Sequence, residues 1–179
     1  RIHPPPDAMS TKNLGRFAKL FGMKVPRQLD RHALQDLLDS VKDTPLAYAI
    51  NMYVLRSLQK AEYAPLNVGH FALASTHYCH FTSPIRRYAD LLVHRLIDCY
   101  VKGTLNKIGL EEVLPAGELV EIGKHITFTE GQAENAENDI KTVLILQMLS
   151  KRIGQEMDVI VSGLTNFGVF VQCRKFGIE

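Results

Sequence analysis

Apolar residues recur at helical spacing along the first third of the chain and predict three helices. The first spans about 7–21 and the second about 30–41, and each opens with an aspartate that can cap it. Thr44 is placed to cap the third, which Pro45 opens and which runs to about residue 60. This third helix is apolar on more than one face, so we expect it to lie centrally.

The pattern is more varied between residues 61 and 152. Residues 63–69 read as a loop, and residues 70–75 read as a short strand. Ser and Pro at 83 and 84 predict the start of a helix over about 83–101. Two further helical stretches follow, over about 115–125 and about 129–152.

β-branched and apolar residues replace the helical spacing near the C-terminus. Residues 157–163 and 169–173 predict two strands, and Asn166 and Gly168 between them are turn residues. The expected fold class is therefore α+β and mainly helical, with a terminal β-hairpin. An OB-type barrel needs five strands, so this hairpin would be the first part of an incomplete one.

Composition places the chain among ordinary globular proteins, with 179 residues, 46% hydrophobic and 22% charged. No apolar run approaches the roughly 20 residues that cross a bilayer, so we expect no membrane partner. Cys79, Cys99 and Cys173 form no closely spaced pair and read as reduced thiols of a cytosolic protein. Residues 1–100 hold 13 Lys and Arg against 8 Asp and Glu. This excess of basic residues is typical either of a surface that binds a polyanion or of a solvated basic surface.

The densest candidate chemistry lies in residues 80–95. If Thr82 or Ser83 caps the predicted helix, Arg86 and Arg87 fall in its first turn, where the helix dipole disfavours cations. That local cost suggests that an anion binds there, and the planar guanidinium suits phosphate oxygens. The alternative is that both arginines form structural ion pairs with carboxylates of a neighbouring helix.

Helical spacing also relates this arginine pair to two later residues. Asp90 lies four residues after Arg86 and four before His94, so the three can share one face. Asp90 could then hold Arg86 in place or fix the tautomer of His94. Another face, directed toward the core, would carry Ile85, Ala89, Leu92 and Leu96.

Histidines and a cysteine are concentrated just before and within the same stretch: His70, His77, Cys79, His80 and His94. Zinc binding is conceivable, but only one pair has ligand-like spacing, so we expect no metal site. Helix capping, hydrogen bonds in the core and contacts with RNA bases are the alternatives for these side chains.

An acidic stretch follows in the last predicted helix, where Glu130, Glu134 and Glu137 share one face and Asp139 is close by. Such a row can bind Mg²⁺ or orient water. It can equally be a solvated face, or the partner of basic residues such as Arg86 or Arg87.

Two aromatic residues, Phe167 and Phe170, flank Gly168 in the predicted hairpin. On an OB-fold sheet such aromatics stack on nucleic-acid bases. The alternative is that one of them faces a barrel core.

The run His-Phe-Thr-Ser-Pro-Ile-Arg-Arg-Tyr-Ala-Asp-Leu-Leu-Val-His-Arg closely resembles the signature of the ribonuclease II / ribonuclease R (RNB) exoribonucleases. The opening Arg-Ile-His-Pro-Pro-Pro-Asp is similar to that family's Arg-Val-His-Glu-Pro-Pro-Asp segment. Residues 129–133 resemble its Glu-Arg-Arg-Ala helix start, although Gly131 and Gln132 replace the two arginines. Residues 157–171 resemble the start of the OB-fold RNA-binding domain that follows the catalytic domain.

The resemblance implies that residues 1–153 are the C-terminal part of an RNB catalytic domain and residues 154–179 an incomplete OB-fold domain. It implies processive 3′-to-5′ hydrolysis of single-stranded RNA to nucleoside 5′-monophosphates in the cytoplasm. In the parent enzyme Mg²⁺ is held by aspartates, which we expect upstream of residue 1, while this chain binds none. The chain alone is therefore expected to be inactive.

The resemblance also assigns roles to individual residues. Arg86 matches the arginine that stabilises charge on the scissile phosphate. Residues expected to bind RNA or to support the site are His80, Thr82, Ser83, Arg87, Tyr88, Asp90, His94, Glu130, Glu137, Phe167 and Phe170. Either Glu130 or Glu137 matches the family's acidic position. Two other classes stay open: a non-catalytic RNA-binding module, and a helical domain with a structural or partner-binding role.

Overall fold

The computed structural model describes residues 1–26, 30–105, 115–173 and 175–177. Two compact units can be distinguished, Arg1–Phe128 and Thr129–Glu179. The domain boundary expected between residues 153 and 154 stays a prediction. The described elements are α1 (Ala8–Leu20), α2 (Arg31–Val41), α3 (Ala47–Ser57), a 3₁₀ turn (Phe71–Leu73), α4 (Tyr88–Val101), α5 (Ala116–Leu149), a second 3₁₀ turn (Ser150–Arg152), β1 (Val159–Thr165) and β2 (Gly168–Cys173).

The first three helices enclose the hydrophobic core of the first unit. As predicted, aspartates begin two of them: Asp7 accepts a hydrogen bond from the Ser10 N–H at 2.7 Å, and Asp30 accepts one from the Ala33 N–H at 2.8 Å. Both caps satisfy amides that the helix itself leaves without a partner. The buried core residues are Leu14, Leu34, Leu37, Val41, Ile50 and Val54.

Helix α3 begins differently from the prediction. Leu46 is its N-cap and makes no side-chain capping bond. The predicted cap, Thr44, instead donates its hydroxyl to the Val41 carbonyl at 2.6 Å and so closes the end of α2. A threonine hydroxyl can accept from an amide at the start of a helix or donate to a carbonyl at the end of one, and here it donates to the last residue of α2.

The strand predicted over residues 70–75 is wrong, because the chain forms a 3₁₀ turn there. The His70 ring accepts a hydrogen bond from the Leu73 N–H at 3.3 Å, and Ala74 then adopts a left-handed conformation with φ of 55°. This side-chain bond to the local backbone competes with strand pairing. The segment keeps only isolated bridges, which join His70 to His3 and to Ser75.

His3 fixes the N-terminal segment against this turn. Its Nε2–H donates to the Gln59 carbonyl at 2.6 Å, and its Nδ1 accepts from the Ala72 N–H at 3.1 Å. The ring stacks on that of His70 with centroids 5.1 Å apart. Burial, and after it the positive charges of the neighbouring His3 and Arg1, lower the pKa of His70, so the His70 ring is neutral at neutral pH.

The two helices predicted after residue 115 form one continuous helix, α5. The intervening residues include β-branched and aromatic side chains, which lower helix propensity without ending a helix. Gly123 marks where α5 packs closely on the loop at Tyr63: an added Cβ would lie 2.5 Å from the Tyr63 carbonyl oxygen. The Tyr63 N–H also donates to the Thr127 hydroxyl at 3.0 Å. None of the helices within the described ranges is long and apolar enough to cross a membrane.

In the second unit, β1 and β2 form the predicted antiparallel hairpin. Thr165 pairs with Gly168, so the turn consists of Asn166 and Phe167. The register shifts between Val161 and Gly163, where the ladder is irregular. Neither Asn166 nor Gly168 adopts a positive φ. The assignment of this hairpin to an OB-fold stays a prediction.

The close packing of α5 predicts the effect of a methyl group at Gly123. We expect Gly123→Ala to lower the free energy of unfolding by about 2 kcal/mol, because the clash is with rigid backbone. Gly131→Ala is the matched control, since no atom lies within 4 Å of its added Cβ. It should raise stability by up to about 1 kcal/mol through helix propensity. Urea denaturation followed by circular dichroism measures both, and equal effects would contradict this packing.

Candidate functional site

Residues 83–87 form a turn that precedes α4. The Ser83 carbonyl accepts hydrogen bonds from the N–H groups of Arg86 at 3.2 Å and Arg87 at 3.1 Å. Arg87 is extended, with φ of −125° and ψ of 112°, and α4 begins at Tyr88. The prediction that Ser83 and Pro84 begin the helix is therefore wrong. Arg87 is the N-cap of α4 and Arg86 precedes it, so neither arginine lies in the first helical turn as predicted.

The Asp90 carboxylate explains the shape of this turn. Its side chain is fully buried, and its Oδ2 accepts hydrogen bonds from the Ser83 N–H at 2.7 Å and from Arg87 Nη2 at 2.8 Å. Asp90 thus contacts Arg87, not Arg86 or His94 as expected. Burial raises the pKa of the Asp90 carboxyl, but the hydrogen bonds from Ser83 and Arg87 outweigh this effect, and the pKa lies below its ordinary value. Asp90 is therefore ionised at neutral pH.

The Arg87 guanidinium is bound by other side chains of the protein. Its side chain is 22% exposed, and the same Nη2 lies 3.5 Å from the Thr82 hydroxyl. Its Nε and the Oδ1 of Asp90 are buried and have no hydrogen-bond partner in the described part of the chain. Of the two roles left open for Arg87, these contacts favour a structural one. The ion pair is formed with the first turn of α4, not with a neighbouring helix.

Arg86, by contrast, is exposed. Within the residues that the structure describes, its guanidinium makes no hydrogen bond and no ion pair. The adjacent Ile85 is also fully exposed, so the prediction that Ile85 faces the core is wrong. Ile85 lies in the turn and not on the helix, whereas Leu92, from the same predicted face, is buried. The turn therefore presents one cation to solvent.

Two histidines anchor the segment that enters the turn. The Nε2–H of His94 donates to the Phe81 carbonyl at 2.8 Å, and the two rings stack 4.3 Å apart. His80 shares a hydrogen bond of 2.8 Å between its Nδ1 and the Tyr63 hydroxyl. Burial, and then the positive charge of Arg87, lower the pKa of His80, so this ring is neutral at neutral pH. Both histidines therefore hold the segment that leads into the turn.

Sequence reasoning missed the contribution of Tyr63 and Arg1. The Arg1 guanidinium lies over the Tyr63 ring, 4.5 Å from its centroid, and the hydroxyl of that ring contacts His80. These residues are far apart along the chain, and no local spacing pattern relates them. The exposed aromatic Tyr88 lies at the start of α4, next to the turn.

The histidines and the cysteine of this region do not assemble a metal site. His70 binds the Leu73 amide, and His77 contacts the Thr76 hydroxyl at 3.2 Å. Across the described residues, no group of three or more His, Cys, Asp or Glu side chains could hold a metal ion. Of the alternatives for these histidines, local hydrogen bonding is the one that the structure displays.

The second unit contains the remaining predicted residues. Glu137 pairs with Lys141 at 2.6 Å, and the hydrogen bond from this lysine lowers the pKa of Glu137. Glu130 is placed within α5 and also makes side-chain or electrostatic interactions. Phe167 is 84% exposed, and its ring meets that of Phe170 edge to face with centroids 6.0 Å apart. An exposed aromatic of this kind can stack on a base.

Comparison with known proteins identifies the relatives of this chain. The family model described as "RNB domain" matches residues 1–103. Ribonuclease R of Thermotoga maritima is 37% identical over 186 residues, which cover 100% of this chain and 26% of that protein. Ribonuclease R of Aquifex aeolicus is 36% identical over 181 residues, which cover 100% of this chain and 25% of that protein. The chain spans about a quarter of the length of these relatives.

Solved structures agree with this relationship. The apo form of Mycoplasma genitalium RNase R matches with a TM-score of 0.89 at 30% identity, over 99% of this chain and 28% of that chain. The same enzyme in complex with ribose-methylated single-stranded RNA matches with a TM-score of 0.87 at 29% identity, with the same coverage of both chains. The similarity therefore includes the terminal hairpin as well as the helical part.

The buried carboxylate predicts a large loss of stability when it is removed. Asp90→Ala leaves Arg87 partly buried without its partner and should lower the free energy of unfolding by about 3 kcal/mol. Asp98→Ala is the control, because Asp98 pairs with Lys102 on the same helix but is exposed. It should cost less than about 1 kcal/mol. Urea denaturation compares the two, and a loss at Asp90 no greater than that at Asp98 would contradict the buried pair.

Proposed function

The chain belongs to the RNB family, and from this premise we propose that it is the C-terminal part of the catalytic domain of a 3′-to-5′ exoribonuclease. In this proposal its last residues begin an OB-fold RNA-binding domain. The whole enzyme degrades single-stranded RNA processively to nucleoside 5′-monophosphates in the cytoplasm. Similarity to ribonuclease R over the full chain supports the activity, and the RNA-bound structural relative supports the substrate.

The observation that carries the proposal is the exposed guanidinium of Arg86. It lies on a turn whose two neighbouring polar groups, Ser83 N–H and Arg87, are already bound to Asp90. A guanidinium presents parallel N–H donors that match two oxygens of a phosphate. Placed at the scissile phosphate, Arg86 would stabilise the negative charge that develops as water attacks.

Mg²⁺ is expected in the whole enzyme, where it would activate water and polarise the phosphate. The described residues do not supply a site for it, because their acidic, histidine and cysteine side chains form no group that could hold a metal ion. Asp90, the buried carboxylate nearest to Arg86 in sequence, already binds Ser83 and Arg87 through its Oδ2. We therefore expect the ligands of the metal in a part of the enzyme outside this chain.

Removing the guanidinium tests the proposal in the full-length protein. Arg86→Ala should lower kcat on 5′-labelled single-stranded RNA by about 10²–10⁴-fold, because it removes a contact made to the transition state. Arg56→Ala is the matched control, since Arg56 is an exposed arginine of α3, outside the turn. Its activity should equal that of the unmodified enzyme.

Two results would contradict this function. An unchanged kcat for Arg86→Ala would remove Arg86 from catalysis. A full-length protein that binds RNA with a steep salt dependence but never shortens it would be an RNA-binding module instead. RNA binding that is absent or insensitive to salt would favour a helical structural domain.

A further inference from the structure

We propose that Asp90 is a positioning residue that acts through Arg86, and that it uses Arg87 to do so. The inference rests on the proposed function, in which Arg86 contacts the scissile phosphate. It concerns the two adjacent arginines and the one buried carboxylate beside them. Arg87 neutralises that carboxylate, so the guanidinium of Arg86 remains available to bind the phosphate of the substrate.

Hydrogen bonds to Asp90 and Ser83 close the turn that carries Arg86. Asp90 Oδ2 holds the Ser83 N–H at one end and the Arg87 guanidinium at the other. The Ser83 carbonyl also accepts hydrogen bonds from the backbone N–H groups of Arg86 and Arg87, which flank the Arg86 Cα along the chain. Pro84, inside the turn, has a fixed φ, which further limits the backbone. The Cα of Arg86 is therefore held on both sides.

The buried charge of Asp90 requires a cation beside it. Asp90 is fully buried and ionised, so it needs a cation, and the structure supplies Arg87 at 2.8 Å. If Arg86 took this place, its guanidinium would be withdrawn from solvent and from any phosphate. Arg87 thus decides which of the two arginines stays exposed. An arginine suits this role because it stays charged and forms a directional hydrogen bond.

The orientation of the Arg86 guanidinium is expected to affect the rate of catalysis. A catalytic group held in the productive orientation can increase the rate by orders of magnitude, and a small displacement can cost about 10²-fold. Loss of the Asp90 charge would loosen the turn without removing the Arg86 guanidinium. The loss of rate should therefore be smaller than for Arg86→Ala and should depend on the presence of Arg86.

A double-mutant cycle in the full-length enzyme tests this dependence. Asp90→Asn, which keeps the shape of the side chain, should lower kcat by about 10–100-fold, with KM changed by less than about threefold. The double variant Asp90→Asn/Arg86→Ala should be no slower than Arg86→Ala alone, because a positioning residue has nothing left to position. Asp98→Asn, an exposed carboxylate of the same helix, is the control and should leave kcat unchanged.

A second pair of variants keeps the test independent of the stability of Asp90→Asn. Arg87→Gln should lower kcat to a similar extent, and Arg87→Lys, which retains the positive charge, should restore a large part of it. Circular dichroism melting of each variant confirms that the rate is measured on folded protein. A purely structural role would lower the melting temperature without making the rate loss depend on Arg86.

The outcomes separate this inference from the proposed function. If Arg86→Ala itself retains full activity, the proposed function fails and the inference fails with it. If Arg86→Ala is impaired while Asp90→Asn and Arg87→Gln are fully active, only the positioning role is overturned. Losses at Asp90 and Arg86 that multiply in the double variant would also overturn it.

Discussion

A buried carboxylate next to an arginine pair determines the local structure of the candidate site. Placing an ionised group where water cannot reach it is costly unless hydrogen bonds and an opposite charge compensate. Asp90 obtains both, from the Ser83 N–H and from the Arg87 guanidinium. Three features follow from this requirement: α4 begins only at Tyr88, the preceding residues form a closed turn, and Arg87 is withdrawn from solvent. Of the two arginines, Arg86 is the one left exposed.

A second set of contacts holds the segment that leads into the turn. Tyr63 is their common member, since its N–H donates to Thr127 of α5, its hydroxyl contacts His80, and Arg1 covers its ring. The absence of a side chain at Gly123 lets α5 approach the Tyr63 backbone closely enough for these contacts. The turn is thus supported on one side by α4 and on the other by residues that come from three separate parts of the first unit.

Much of this architecture could be predicted from the sequence, because it depends on local signals. Asp7 and Asp30 each accept a hydrogen bond from the backbone N–H three residues later and so cap a helix. The terminal hairpin follows from alternating β-branched residues on both sides of a turn. Predictions of local structure were wrong where a side chain binds a partner that the spacing of residues along the sequence does not specify. Asp90 reaches back seven residues to the Ser83 amide, and Thr44 closes the helix before it instead of capping the one after it. The stretch of residues that carries the chemistry was identified, but the division of roles between Arg86 and Arg87 required the geometry.

The most direct measurement of the central claim is hydrogen exchange of the Ser83 amide in the 179-residue chain, followed by NMR. Because the buried Asp90 carboxylate accepts this N–H, we expect the amide to exchange at least about 10²-fold more slowly than an unprotected loop amide. Asp90→Ala should abolish the protection. An amide that exchanges at the rate of an exposed loop while Asp90 is present would show that the carboxylate does not hold the turn, and would contradict the account.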